Sequence, residues 1–244
     1  MSRAIVLAAH GSHLSASSSD PIYEHQRRLI EKGNFDEVRV AFWREEPSLA
    51  RALDGCNADD VTVVPVLISS GYFVNEVIPR EMRLTGRVSQ VDGRCVRYAD
   101  PIGAHPALAK VIVQRADEAG ATDTDALAVL GHGTPRNPQS ERNVYRQAES
   151  VFAMGRFAEV TTVFIEQSPY VRDVFSLVRA ESVVIVPLFV ADGWHVGETI
   201  PGDLAAEGVE SRAGGRRLRY ARAVGTHPSV ADVIAEMVED ASRW

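Results

Sequence analysis

Two imidazoles and a carboxylate, His132, Glu166 and His195, stand in the second half of this 244-residue chain where an alternation of strands and helices would end three strands. Such a set suits a borderline divalent ion such as Co2+, Fe2+, Ni2+ or Zn2+, and three protein donors leave a coordination position open for exchange. At an offset of 122 residues the same positions in the first half hold His10, Arg44 and Phe73, so one member of the set recurs. The offset holds without a gap along the chain. His10-Gly11 recurs as His132-Gly133, Phe42 and Pro47 as Phe164 and Pro169, Pro65 as Pro187, and Gly71 with Pro79 as Gly193 with Pro201. Arg97-Tyr98-Ala99 recurs as Arg219-Tyr220-Ala221, and Gly103, His105 and Pro106 recur as Gly225, His227 and Pro228. This is an internal duplication.

The elements that must position these groups follow from patterning. In each copy, short apolar β-rich runs alternate with helical patterns, the signature of βαβ units and a parallel sheet. The expected strands are 4–9, 38–42, 61–68 and 94–98, then 126–130, 160–164, 183–190 and 216–220. A helix closes each copy after a His-Pro turn, at 106–119 and 228–242, because proline at a helix start loses an N–H that would be unpaired anyway. The copies divide the chain into 1–119 and 125–244 around a polar linker, with the metal set in the second. In an open parallel sheet, ligands bind beyond the carboxyl ends of the strands, where residues 10, 44 and 73 and their counterparts 132, 166 and 195 fall. The polar stretches 11–20 and 133–140 have the composition of loops lying over a ligand.

Composition sets limits. With 45% hydrophobic residues the chain can bury a sizeable core, and a net charge of -7 argues against nucleic acid, which needs a basic face. An anionic ligand then requires arginines gathered locally. Cys56 and Cys95 lie in one half without counterparts, which argues against a disulfide framework. No signal-peptide pattern and no apolar stretch long enough for a bilayer are present, so a cytoplasmic protein with no membrane partner is expected.

At these residues the chain resembles the sirohydrochlorin chelatase family, the class II cobalt and iron chelatases of cobalamin and siroheme synthesis, in its two-domain form. The carriers are the strand ends His-Gly-Ser and His-Gly-Thr, the run Phe-Ile-Glu-Gln-Ser-Pro at 164–169, and Gly-Trp-His-Val-Gly-Glu-Thr-Ile-Pro at 193–201. The resemblance implies an α/β fold of two four-stranded domains with flavodoxin-like layering, related by a pseudo-two-fold, and a tetrapyrrole held between them. It implies a lyase that inserts a divalent metal as substrate, Co2+ before Fe2+, with no organic cofactor. The family's metal-handling histidines and glutamate carry over onto His132, His195 and Glu166. Arg44 and Phe73 depart from that pattern, which points to the second half.

Insertion requires groups that are neutral near pH 7, accept pyrrole protons and hold a metal loosely, which histidine does. His132 and His195 are therefore assigned to present the metal and accept protons, with Glu166 as further ligand or shuttle. Trp194, Tyr72 and Phe73 would pack against the macrocycle, Arg44 and Arg136 would pair with its carboxylates, and His10 would take part or merely cap its loop. A non-catalytic tetrapyrrole or metal carrier is the alternative. A phosphohistidine phosphatase is disfavoured because Ala9 and Gly131, not arginine, precede His10 and His132. His105 and His227 fit turn and helix-start chemistry, Glu76 and Glu198 fit first-turn acids, and His13 and His25 fit solvated positions. Because the duplication supplies a two-fold within one chain, a monomer is expected before a dimer.

Overall fold

The computed structural model describes residues 2–12, 19–134, 139–192, 210–213 and 215–244. The first copy forms β1 (Arg3–Ala9), β2 (Glu37–Phe42), β3 (Asp60–Pro65), β4 (Val88–Val91) and β5 (Arg94–Tyr98), in the order β2-β1-β3-β5-β4. The second forms β6 (Ala126–Gly131), β7 (Glu159–Phe164), β8 (Ser182–Pro187), β9 (Glu210–Ala213) and β10 (Arg216–Tyr220), in the equivalent order β7-β6-β8-β10-β9. The four expected parallel strands are present in each sheet. A fifth, antiparallel to its neighbour, adds at the edge: β4 on β5 and β9 on β10. Asp92 and Gly93, both at positive φ, make the tight turn between β4 and β5, and Asp-Gly is the residue pair that such a turn prefers.

β1 and β3 are buried from their second residue onward, as parallel strands covered on both faces must be, which accounts for their unbroken apolar runs. The apolar stretches expected as strands 61–68 and 183–190 leave the sheet at Pro65 and Pro187. Proline has no N–H to continue a ladder, so the remaining apolar residues cross the strand end as loop.

Among the described residues the longer helices are α1 (Asp20–Lys32), α2 (Leu108–Glu118), α3 (Gln139–Ala153) and α4 (Val230–Ala241). On α1 the buried positions Ile22, His25 and Leu29 share one face, so His25, expected to be solvated, is fully buried. Gly33 closes that helix at φ 68, where its N–H bonds the Ile30 carbonyl at 3.0 Å.

Packing groups the chain differently from the repeats. One compact unit is Met1–His105 with Pro228–Trp244, and the other is Pro106–His227. The changeover falls at the two His-Pro turns, so α4 packs in the first unit and α2 in the second. α4 buries Val230, Val233, Ile234, Met237 and Val238. At roughly 1.5–3 kcal/mol per fully buried aliphatic side chain, that face alone ties the terminal segment down firmly. The turn histidines also engage these helices. His105 Nε2 lies 3.5 Å from Asp240 Oδ2 on α4, and His227 Nε2 lies 3.4 Å from Glu118 Oε1 on α2. Residues 118 and 240 are equivalents at the duplication offset. The turns themselves need glycine, because a Cβ on Gly103 would meet the Ile68 carbonyl oxygen at 2.0 Å and one on Gly225 the Val190 oxygen at 2.3 Å.

Cys56 and Cys95 are free thiols. Among the described residues, no helix is long and apolar enough to cross a membrane.

Candidate metal and ligand site

The strand order places the loops after β2, β1 and β3 side by side, and likewise those after β7, β6 and β8. The chain passes from β1 to β2 on one side and on to β3 on the other, so the loops after β1 and β3 diverge there and open a crevice. Backbone bonds fix the relative position of the first two candidate residues in each half. Arg44 N–H donates to the His10 carbonyl at 2.9 Å, and Glu166 N–H donates to the His132 carbonyl at 3.0 Å. Each loop is then closed by the strand's last residue, with Phe42 N–H on the Pro47 carbonyl and Phe164 N–H on the Pro169 carbonyl, both at 2.8 Å.

The glycine after each histidine is required by geometry. Gly11 and Gly133 have φ of 70 and 71, and a Cβ would lie 2.9 Å from Glu45 Cγ or 2.6 Å from Gln167 Cγ. These two neighbours do equivalent work: Glu45 Oε2 accepts the Ser12 N–H at 3.3 Å, and Gln167 Oε1 accepts the Thr134 N–H at 2.7 Å.

In the second half His132 Nδ1 lies 2.9 Å from the Gly133 carbonyl oxygen. A carbonyl can only accept, so Nδ1 carries the proton in that contact and the lone pair of the neutral ring is on Nε2. Glu166 Oε2 lies 3.7 Å from the same Nδ1. The carboxylate therefore flanks the imidazole on its Nδ1 side. Both side chains are about half exposed, which screens this interaction.

His10 repeats the Nδ1 contact, at 3.0 Å from the Gly11 carbonyl oxygen, but its surroundings differ. Its ring centroid is 5.2 Å from those of both Trp43 and Phe73, and Trp43 and Phe73 are 5.6 Å apart. Arg44 lays its guanidinium over the Trp43 ring at 3.9 Å. The helical turn Phe73–Val77 is held from β5, where the partly buried Tyr98 hydroxyl donates to the Val74 carbonyl at 2.6 Å and burial pushes that phenol well up. Trp43 was not singled out from sequence as a ligand contact. Its signal there was a tryptophan where the second half has Ile165, immediately before a site residue.

The structure thus brings together His132 with Glu166, and His10 with Phe73 and, through Trp43, Arg44. Arg136, Trp194 and His195 lie outside the described residues. Among the described residues, no group of three or more His, Cys, Asp or Glu side chains could hold a metal ion.

Residues 4–119 and 126–241 each match the CbiX family model. A protein of Halobacterium salinarum named "Probable sirohydrochlorin cobaltochelatase" is 40% identical over 270 residues, covering 98% of this chain and 91% of that protein. The sirohydrochlorin cobaltochelatase of Methanosarcina barkeri is 30% identical over 124 residues, covering 47% of this chain and 95% of that protein. A multi-domain protein of Deinococcus radiodurans, described as structurally similar to chelatases, superposes with a TM-score of 0.84 at 30% identity. That match covers 97% of this chain, which spans only 54% of the Deinococcus protein. SirB of Bacillus subtilis with Fe3+ superposes with a TM-score of 0.79 at 20% identity, covering 99% of this chain and 96% of that one, a likeness of fold.

Proposed function

The chain belongs to the CbiX family, and from that premise we propose that it is a metal chelatase that inserts a divalent ion, Co2+ before Fe2+, into sirohydrochlorin in cobalamin or siroheme synthesis. The carrying observation is the His132 and Glu166 pair, set on adjacent strand ends by a backbone bond and 3.7 Å apart.

Metal insertion removes two pyrrole protons while the ion sheds its water. With Nδ1 turned to the Gly133 carbonyl, His132 offers Nε2 to the metal or to a pyrrole proton. When the ring takes a proton, the Glu166 carboxylate beside Nδ1 offsets the charge gained, and the same carboxylate can pass a proton outward or complete the metal's ligands. His195 is the second imidazole in this reading, Arg136 a partner for the macrocycle's carboxylates, and Trp194 an apolar cover for its face.

The test is insertion of Co2+ into sirohydrochlorin, followed by absorbance. His195→Ala abolishes turnover nearly completely and His10→Ala has a smaller effect; equal activity in the two variants removes the second-half assignment. A carrier, in contrast to an enzyme, would change the spectrum only in proportion to the protein added.

A further inference from the structure

In the first compact unit every arginine but one is engaged by an oxygen. Arg3, Arg27, Arg28, Arg39 and Arg51 pair with carboxylates, as do Arg80, Arg83, Arg87, Arg97 and Arg243, and Arg94 bonds the Cys56 carbonyl at 2.7 Å. Arg44 is the exception: among the described residues it makes no ion pair, and its guanidinium carbon lies over the Trp43 ring, 3.9 Å from the centroid. It occupies the strand-end position that holds Glu166 in the other half, so the charge at this point of the scaffold is reversed. The remaining donor positions have changed in the same sense, for Phe73 stands where His195 does and His10 is in contact with two aromatic rings.

A guanidinium stacked on an aromatic face keeps its N–H groups in its own plane, parallel to the ring and directed out to the sides of the stack, and its conformational freedom is reduced before any ligand arrives. Trp43 is itself braced by Phe73 and His10. In a chain of net charge -7, a cation held this way and without a carboxylate partner among the described residues is matched to an anion supplied from outside. We propose that the first-half crevice is not a second cation site but a carboxylate-anchoring site for the substrate, in which Arg44 pairs with a peripheral carboxylate of the polycarboxylate macrocycle and Trp43 is the positioning residue that presents it. This rests on the tetrapyrrole reading above and assigns a separate task to the half that lacks the metal set.

The test uses the full chain and the fluorescent octacarboxylate porphyrin uroporphyrin I, with binding read by fluorescence and Co2+ binding measured in parallel without porphyrin. Arg44→Gln raises the porphyrin Kd about tenfold, the loss expected for one charge-assisted hydrogen-bonded contact, and leaves Co2+ binding unchanged. Arg44→Lys recovers only part of the loss, because an ammonium cannot lie flat on Trp43 or grip a carboxylate with a fork. Trp43→Leu weakens porphyrin binding several-fold, and the Trp43→Leu/Arg44→Gln double variant is no weaker than Arg44→Gln alone, since Trp43 acts through the arginine. Arg51→Gln, an exposed arginine already paired with Glu46, is the neutral control. A Kd for Arg44→Gln within twofold of wild type, or additive effects in the double variant, overturns the inference while the chelatase reading stands. A wild-type chain that binds no uroporphyrin overturns both.

Discussion

Asp125→Asn tests whether the second sheet is closed by a buried ion pair. The Asp125 carboxylate is almost wholly buried, and Arg219 Nη1 lies 3.0 Å from both of its oxygens. Thr122 N–H donates to Oδ2 at 2.6 Å, the Thr122 hydroxyl donates at 3.1 Å, and the Ser182 hydroxyl donates to Oδ1. An asparagine of the same shape removes the charge, turns a donor toward this ring of donors and breaks the buried pair with Arg219. Breaking one partner of a buried pair costs about 3–5 kcal/mol. At about 2–4 °C per kcal/mol for a chain of this size, the melting temperature falls by roughly 6–20 °C. The pH dependence gives an independent check. Burial works to push the Asp125 carboxyl up, but the Ser182 and Thr122 hydrogen bonds and the Arg219 charge outweigh it and hold it below the ordinary range. The folded value thus lies below the unfolded one near 3.9, so this stability is present above about pH 4 and is lost as pH falls through the folded value. Thermal melts between pH 7 and pH 3 should therefore show a shallower acid limb for Asp125→Asn than for the parent. Asp60→Asn, which breaks the more exposed Arg97 pair of the first half, should cost less. An unchanged melting temperature for Asp125→Asn, or an acid limb as steep as the parent's, refutes the argument.

Gly103→Ala and Gly225→Ala should each cost at least the roughly 3 kcal/mol at the top of the overpacking range, measured by urea unfolding, because the added methyl meets backbone oxygens that cannot rotate away. A loss below 1 kcal/mol would show that the turns have room to relax. Gly133→Ala should keep the fold but slow metal insertion, since the methyl displaces Gln167 and the peptide whose carbonyl holds His132 Nδ1. Gly33→Ala is the control, having a comparable φ but no atom within 4 Å of the added methyl, and it should cost about 1 kcal/mol of stability with no effect on rate.

Most of the scaffold was legible because one duplication reported it twice. The parallel strands appear as apolar runs, since β1, β3, β6 and β8 are buried on both faces, and His10, Arg44, His132 and Glu166 fall at strand ends by simple counting. The edge strands β4 and β9 escaped because four residues are too short to show a period, although Asp92-Gly93 carried the hairpin signal. The exchange of α2 and α4 between compact units left no local mark at all. A helix has the same apolar face whichever sheet it covers, and long-range pairs such as Arg3 with Glu239, His105 with Asp240 and His227 with Glu118 reveal the choice. The aromatic contacts of His10 were hidden for a related reason: ring stacking depends on side-chain direction, which spacing along a strand does not supply.

The two halves also show which positions were able to change. Arg97 and Arg219 are equivalent and buried or nearly so, and each is paired, but the partner has moved: Asp60 serves Arg97, whereas the equivalent of Asp60 is Ser182 and Arg219 takes Asp125 instead. A buried guanidinium cannot be left without an anion, so drift there is confined to exchanges that restore the pair. Residues 44 and 166 face the opposite constraint. Their place is set by backbone bonds to the histidine carbonyls, no side chain is needed to hold the loop, and both are exposed. Reversing the charge at that point costs the fold little, which is why the two copies of one scaffold can carry a carboxylate there in one half and a guanidinium in the other.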